Sequence, residues 1–249
     1  MKILFIGNSF SEDACAYMAK IAQAGSFDLT TVNLFIGGCS LERHHSNIGV
    51  FDEQHCYLKS INGGPNTEKI GLDDALKEDE YDFVSVQQVS NQSGIWEKYN
   101  PYLEELVALV RKYQPKAKLV IHQTWAYENS LKSPLFSNYQ NNRFIMHEKL
   151  TECYKKAAEL VHADAIIPCG ELISALSENS VFDPEKGGVA LTRDGAHMGL
   201  DYGRYAIAAL WCAKLGMKNL KTNAFIPEIE GIEKEKIELI KDVIEARFA

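Results

Sequence analysis

Five short, almost wholly apolar runs, at 2–7, 30–36, 82–88, 116–123 and 164–168, recur along the chain with longer helical patterns between them. Such runs lack the polar alternation of a half-wet strand. They are what strands look like when helices cover both faces of a parallel sheet. The helical patterns fall at 12–25, 68–78, 101–113, 144–162, 170–177, 199–215 and 232–248. In 101–113 the apolar stripe is Leu103, Leu106, Val107 and Val110, spaced three or four apart. Strand and helix in alternation build βαβ units, so the expectation is an α/β fold. Two segments fit neither class: 40–66, with its Gly63-Gly64-Pro65 break, and 128–142, rich in Asn and Ser. Both follow strands and so emerge at the carboxyl edge of the sheet, where open α/β folds bind ligands. Loops of this length form lids or binding walls. No linker interrupts the pattern, and 1–249 reads as one domain.

The 249 residues are enough to bury a core without staples. With 26 basic against 34 acidic residues the net charge is −8. A surface of that sign repels phosphate backbones and anionic lipid, so neither nucleic acid nor a membrane surface is an expected partner. The longest apolar run, 206–213, is far short of the ~20 residues of a membrane span. The apolar stretch at 3–7 is too short for the core of a signal peptide. The expected compartment, as the chain stands, is cytoplasmic; a secreted or periplasmic location would require a signal peptide already removed. Six scattered cysteines without a Cys-x-x-Cys pair read as reduced thiols.

Four segments carry chemistry. The first strand runs into Gly7-Asn8-Ser9-Phe10 and then a helix. A serine at this junction offers a hydroxyl at the sheet edge and an N–H at a helix start, where the dipole favours an oxyanion. Ser9-x-x-Glu12 reads equally as a capping box. The second strand leads into Gly37-Gly38, where a backbone N–H can approach a ligand unobstructed, or where the chain simply turns. The third ends in Gln87-Gln88-Val89-Ser90-Asn91, amides that orient loops or donate to a substrate oxygen. Near the end lies Asp194-Gly195-Ala196-His197, a carboxylate three residues before an imidazole. The aspartate can hold the histidine tautomer while the other ring nitrogen serves a hydroxyl, as a serine nucleophile requires. The same pair could ligate a metal, but no further ligand set suggests itself, so no metal is expected. Neither G-x-G-x-x-G nor a phosphate-binding loop is present, and no cofactor is expected. The fourth strand ends in His122-Gln123-Thr124-Trp125, side chains that either wall a substrate or anchor the loop.

In this order, Gly7-Asn8-Ser9, Gly38, Asn91 and Asp194-x-x-His197 resemble the four blocks of the SGNH (GDSL-type) hydrolases. The resemblance implies a flavodoxin-like three-layer α/β/α sandwich on a five-stranded parallel sheet in the order 2-1-3-4-5. It implies ester hydrolysis through an acyl-enzyme, with Ser9 as nucleophile, His197 as base and Asp194 as its orienter. The N–H groups of Ser9 and Gly38 would form two legs of the oxyanion hole. Asn8 stands where the family most often has Asp. The third block, Gly-x-Asn-Asp in the family, here reads Val89-Ser90-Asn91-Gln92. Its amide is assigned to Asn91, or to Gln88 if the loop is shortened. Gln87 with Ser90-Asn91 also resembles the third block of carbohydrate O-acetylesterases, which, with an aromatic edge at His122 and Trp125, points to small O-acyl esters on sugars. A lipase or thioesterase for longer chains is the alternative within enzymes. A glycan-binding module without catalysis is the alternative outside them.

Overall fold

A single sheet carries every strand of the computed structural model, which describes residues 1–248. In chain order the strands are β1 (Lys2–Gly7), β2 (Thr30–Phe35), β3 (Tyr57–Ile61), β4 (Glu68–Ile70), β5 (Phe83–Val86), β6 (Lys118–His122) and β7 (Ala165–Ile167). Their order across the sheet is β4-β3-β2-β1-β5-β6-β7. The strands β2, β1, β5, β6 and β7 run parallel, while β3 and β4 run antiparallel to their neighbours. The sheet is therefore seven-stranded and mixed, which corrects the expectation of five parallel strands.

The missed pair is a hairpin that extends the sheet beyond β2. Tyr57 and Ser60 of β3 are buried, and so is Lys59, whose ammonium is bonded to Glu78 and lies 3.1 Å from Glu68. A lysine turned inward breaks the apolar run that marks a buried strand, and only its two carboxylate partners make it tolerable there. Asn62 and Gly63, both at positive φ, turn the chain after β3, the backbone that Asn-Gly favours. The outermost strand is three residues long and carries Glu68 and Lys69, charges that discourage further pairing at a sheet edge. The helix expected at 68–78 begins only after Gly71, as Leu72–Glu78, because its first residues are strand.

The helices are α1 (Ser9–Ala24), α2 (Leu41–Ser46), α3 (Leu72–Glu78), α4 (Tyr102–Tyr113), α5 (Arg143–Leu160), α6 (Cys169–Ser177), α7 (Tyr202–Lys214) and α8 (Lys234–Arg247). α1 packs on α7, and α7 on α6 and α8; α2 and α3 pack on α4. Ile3, Leu4, Phe5 and Ile6 of the central strand are at most 1 % exposed, so both sheet faces are covered. Phe5 meets the edge of Trp211 on α7 at 4.8 Å. Neither long loop is structureless. The 40–66 stretch contains α2, capped by the Ser40 hydroxyl, and β3; a 3₁₀ helix at Pro134–Tyr139 buries Phe136 and Tyr139 within 128–142. Among the described residues, no helix is long and apolar enough to cross a membrane.

Two core histidines make stability pH-dependent. His44 and His122 are wholly buried, and burial holds each imidazole down at about 3, with the Arg43 charge adding to the effect at His44. Both stay neutral in the folded chain. Below the ordinary value of about 6.5 the unfolded chain takes up protons that the folded one refuses, so stability falls as pH drops. The slope approaches ~1.4 kcal/mol per pH unit for each histidine between about 6 and 4. Urea unfolding against pH should show a shallower slope in His122→Asn than in the parent chain. Equal slopes would mean that His122 is protonated in the native state.

Candidate active site

The β1–α1 junction is built around Asn8. Its Oδ1 accepts from the Phe10 N–H at 3.0 Å, capping the helix, and from Gln87 Nε2 at 2.8 Å. Its Nδ2 donates to the Cys39 carbonyl at 2.9 Å. One buried amide thus ties together the segments that follow β1, β2 and β5. The cap is Asn8, which corrects the capping-box reading of Ser9-x-x-Glu12 and leaves the Ser9 hydroxyl free. As the first residue of α1, Ser9 also keeps an N–H that no helical carbonyl can use.

That hydroxyl lies 2.9 Å from His197 Nε2, across 188 residues of sequence. On the far side of the ring, Nδ1 lies 2.7 Å from Asp194 Oδ2. The Asp194 Oδ1 accepts the N–H groups of Ala196 at 2.9 Å and His197 at 2.7 Å. Partial burial pushes this carboxyl up, but the bonds from the His197 amide and ring and from the Ala196 amide outweigh that. It is held below the usual carboxylate range and stays ionised near neutrality. A neutral His197 then carries its proton on Nδ1, facing Asp194, and offers Nε2 to the serine.

The segment bearing Asp194 and His197 is a tight loop, closed by the Arg193 N–H to the His197 carbonyl at 2.9 Å and by bridge pairing of Thr192 with Met198. Gly195 turns it at φ +85°. From the end of β6, Trp125 donates its indole N–H to the Ala196 carbonyl at 2.7 Å, and Glu128 donates its N–H to the Gly195 carbonyl at 2.8 Å. The Glu128 carboxylate accepts the Thr192 hydroxyl, and that hydroxyl accepts the Gly195 N–H.

Of the expected oxyanion residues, Gly38 sits at φ +62° in the turn that Asn8 grips, and its N–H has no acceptor among the described residues. Asn91 is half-buried in a short 3₁₀ turn, its carbonyl held by the Tyr139 hydroxyl and its side-chain amide without a partner among the described residues. Gln88 is different. Its Oε1 accepts from Leu41 and Val89 and its Nε2 donates to the Lys98 carbonyl, so the amide is spent on loop structure. Gln87 is buried and committed to Asn8.

The two aromatic-edge residues belong to the core rather than to an open wall. Trp125 is fully buried and stacks on Phe10 at 4.2 Å, and His122 is stacked on Trp211, whose indole donates to it at 3.0 Å. Residues at the end of a strand face the edge, but nothing in their sequence position says whether solvent reaches them. An exposed aromatic lies instead at the start of α5: Phe144, 66 % exposed. It lines a cavity of about 410 Å3 with Glu128, Asn129, Arg143, Ser174 and Asp183. Because Glu128 also holds Thr192 and Gly195, this cavity adjoins the loop that bears Asp194 and His197. Sequence reasoning placed Asn8 in the first block but not as the helix cap, although it is an N-cap residue type, and it did not single out Glu128 or Phe144.

Replacing Asn8 by Ala removes a cap, worth about 1 kcal/mol, and leaves a buried amide of Gln87 unpaired, worth about 1–3 kcal/mol. Asn8→Ala should therefore lose about 2–4 kcal/mol in urea unfolding, while Asn8→Asp, which keeps both acceptor roles, loses less. A loss under about 0.5 kcal/mol in Asn8→Ala would show that the junction holds without the amide.

The family model described as a domain of unknown function, DUF4886, matches residues 2–243. A crystal structure of a DUF4886 family protein from Bacteroides uniformis superposes with a TM-score of 0.86 at 34 % identity, covering 99 % of this chain and 93 % of that one. More distant likenesses show the fold alone. A protein assigned as a GDSL-like lipase from Parabacteroides merdae gives a TM-score of 0.56 at 14 % identity over 87 % of this chain and 96 % of its own. Axe2, an acetylxylan esterase from Geobacillus stearothermophilus, gives 0.55 at 16 % identity over 87 % and 94 %. None of the curated proteins matches this chain. Matched along nearly its whole length and sharing a third of its residues with a structurally defined member, the chain belongs to the DUF4886 family.

Proposed function

We propose that this protein is a serine esterase of SGNH type, acting on small O-acyl esters of carbohydrate. The observation that carries the reading is the chain of contacts Ser9 Oγ–His197 Nε2–Asp194 at 2.9 and 2.7 Å, on a serine that opens a helix. The shared fold with a GDSL-like lipase and an acetylxylan esterase supports it.

In this reading the Ser9 oxygen attacks the ester carbonyl carbon while its proton passes to His197 Nε2. Asp194 stabilises the imidazolium and keeps it in orientation. The negative charge on the carbonyl oxygen is met by the N–H groups of Ser9 and Gly38 and by the free amide of Asn91. Collapse breaks the bond to the alcohol oxygen, which takes the proton from His197. Water then repeats the sequence on the acyl-serine, giving up its proton to His197, and the carboxylic acid leaves as Ser9 recovers its own.

The alcohol side is assigned to the cavity beside the base loop. Its polar rim of Glu128, Asn129, Ser174 and Asp183 suits hydroxyl groups, and the Phe144 ring suits the apolar face of a sugar. The acetyl assignment rests on the likeness of the third block to carbohydrate O-acetylesterases.

Ser9→Ala should lower turnover of p-nitrophenyl acetate by about 10³-fold or more. Because Asn8 is the cap, unfolding free energy should move by less than about 0.5 kcal/mol. A fluorophosphonate probe should label the parent chain at Ser9. Turnover that survives Ser9→Ala ends the serine mechanism, and an unlabelled, inactive parent chain that still retains acetylated oligosaccharide is a glycan-binding module instead. Phe144→Ala should raise KM for an acetylated xylo-oligosaccharide by about 3–10-fold, the size of one lost aromatic contact, with p-nitrophenyl acetate unaffected. A parent chain that prefers long-chain p-nitrophenyl esters to the oligosaccharide is a lipase-type enzyme.

A further inference from the structure

Asp13 is a carboxylate with no exposed surface on the inward face of α1, one helical turn beyond Ser9. Burying a charge there is costly unless every lone pair is met. The partners that meet it lie mostly in the base loop. Oδ2 accepts the Met198 N–H at 2.8 Å, and Oδ1 accepts Arg193 Nη1 at 2.9 Å. The same Oδ1 accepts Arg204 Nε, from α7, at 2.8 Å. Arg193 Nη1 also donates to the Met198 carbonyl. Arg193 and Met198 are the residues immediately before Asp194 and immediately after His197. The carboxylate therefore grips both ends of the segment that holds the base, and it does so from the helix that holds the nucleophile.

We propose that Asp13 is the positioning residue of this esterase, setting the approach of His197 to Ser9 by clamping the 193–198 loop onto α1. The inference rests on the serine-esterase reading. A buried ion pair is a poor source of net stability compared with apolar packing of the same volume, but it is a good source of a unique geometry. Here the geometry so defined is that of Ser9 Oγ and His197 Nε2, and misplacement by about 1 Å can cost about 10²-fold in rate. Trp125 and Glu128 hold the middle of the loop from the opposite side, at the carbonyls of Ala196 and Gly195. From α1 itself, Phe10 packs against the His197 ring at 5.7 Å, but Asp13 is the side chain of that helix that hydrogen-bonds both ends of the loop.

Two variants test the clamp. Asp13→Asn removes the charge and turns an N–H toward donors, so it disturbs all three partners. Arg193→Met removes one tie from a side chain that is 34 % exposed and leaves Asp13 paired with Arg204 and the Met198 N–H. With p-nitrophenyl acetate, kcat should fall by about 10²-fold in Asp13→Asn and about tenfold in Arg193→Met, KM staying within about twofold. Fluorophosphonate labelling should slow by the same factors. The decisive measurement adds His197→Ala: Arg193→Met/His197→Ala should be no slower than His197→Ala alone, because a positioner has no effect without the group it positions. Folded Arg193→Met with parental kcat, or a double variant slower by the full factor of the single one, overturns the positioning role while Ser9→Ala still reports the esterase. A parent chain that is inactive and unlabelled at Ser9 overturns both.

Discussion

Everything at the carboxyl edge of the sheet depends on the way one asparagine is satisfied. Asn8 is 1 % exposed, and its three hydrogen bonds run to the helix it caps, to the end of β5 and to the turn after β2. Those three segments follow the adjacent strands β2, β1 and β5, so the amide acts as a strap across the middle of the edge. Beneath it lies a second polar layer. The Ser11 hydroxyl is 2.8 Å from the Asn8 carbonyl and 2.7 Å from Asn33 Oδ1 on β2. The packing leaves no room for a larger residue at the strand end: a Cβ on Gly7 would lie 2.3 Å from Ser11 Oγ. Small and polar side chains there let α1 begin directly above β1, and that start places the Ser9 N–H and hydroxyl together at the rim.

The same logic explains why several polar side chains at the sheet edges are bonded to loop backbone. A parallel sheet buried on both faces delivers its strand-to-helix loops at one edge and its helix-to-strand loops at the other, and each loop must satisfy its backbone where water is scarce. Gln88, just past β5, meets the N–H groups of Leu41 and Val89; at the opposite edge Gln114, which ends α4, meets the Tyr81 N–H and the Leu76 and Asp79 carbonyls. These amides replace solvent for the loops they touch. His122 does similar service in the core as a neutral acceptor for the Trp211 indole. Such groups resemble functional residues in sequence, because chemistry and loop support draw on the same residue types.

How much could be read from the sequence follows from this. The five parallel strands were legible because burial on both faces leaves short apolar runs that alternate with longer helical patterns. The hairpin was not, because Lys59 points inward and its acceptability depends on Glu68 and Glu78, contacts that no local pattern encodes. Ser9, Asp194 and His197 were placed by their positions at a strand–helix junction and in a short acid–imidazole spacing, and they do lie together. Trp125 and His122 were placed at the correct edge, but whether such a residue faces solvent or core depends on Phe10 and Trp211, more than 80 residues away in each case. Asp13 left a faint mark, an acid on the otherwise apolar face that Phe10, Ala14, Met18 and Ile21 turn to the core. A carboxylate in that position has to be paired, and its partners lie about 180 residues further on.

The separation in sequence between Ser9 and His197 is the difficulty that the architecture addresses. Ser9 is fixed early, by the first strand and helix, whereas His197 arrives on the connection between α6 and α7, which belongs to no strand. A loop held at one point can pivot, and a pivot of a few degrees is enough to break a 2.9 Å contact. Held from α1 at its two ends, through Arg193 and Met198, and from the end of β6 at Ala196 and Gly195, it has no axis left to turn about. Its internal closure removes the remaining freedom, since Asp194 accepts the N–H groups of Ala196 and His197 as well as the ring. The carboxylate that orients the imidazole is thereby also part of the loop backbone's own hydrogen bonding. Reorienting Asp194 breaks its bonds to the two N–H groups of the turn, so the tautomer of His197 and the shape of the loop are coupled.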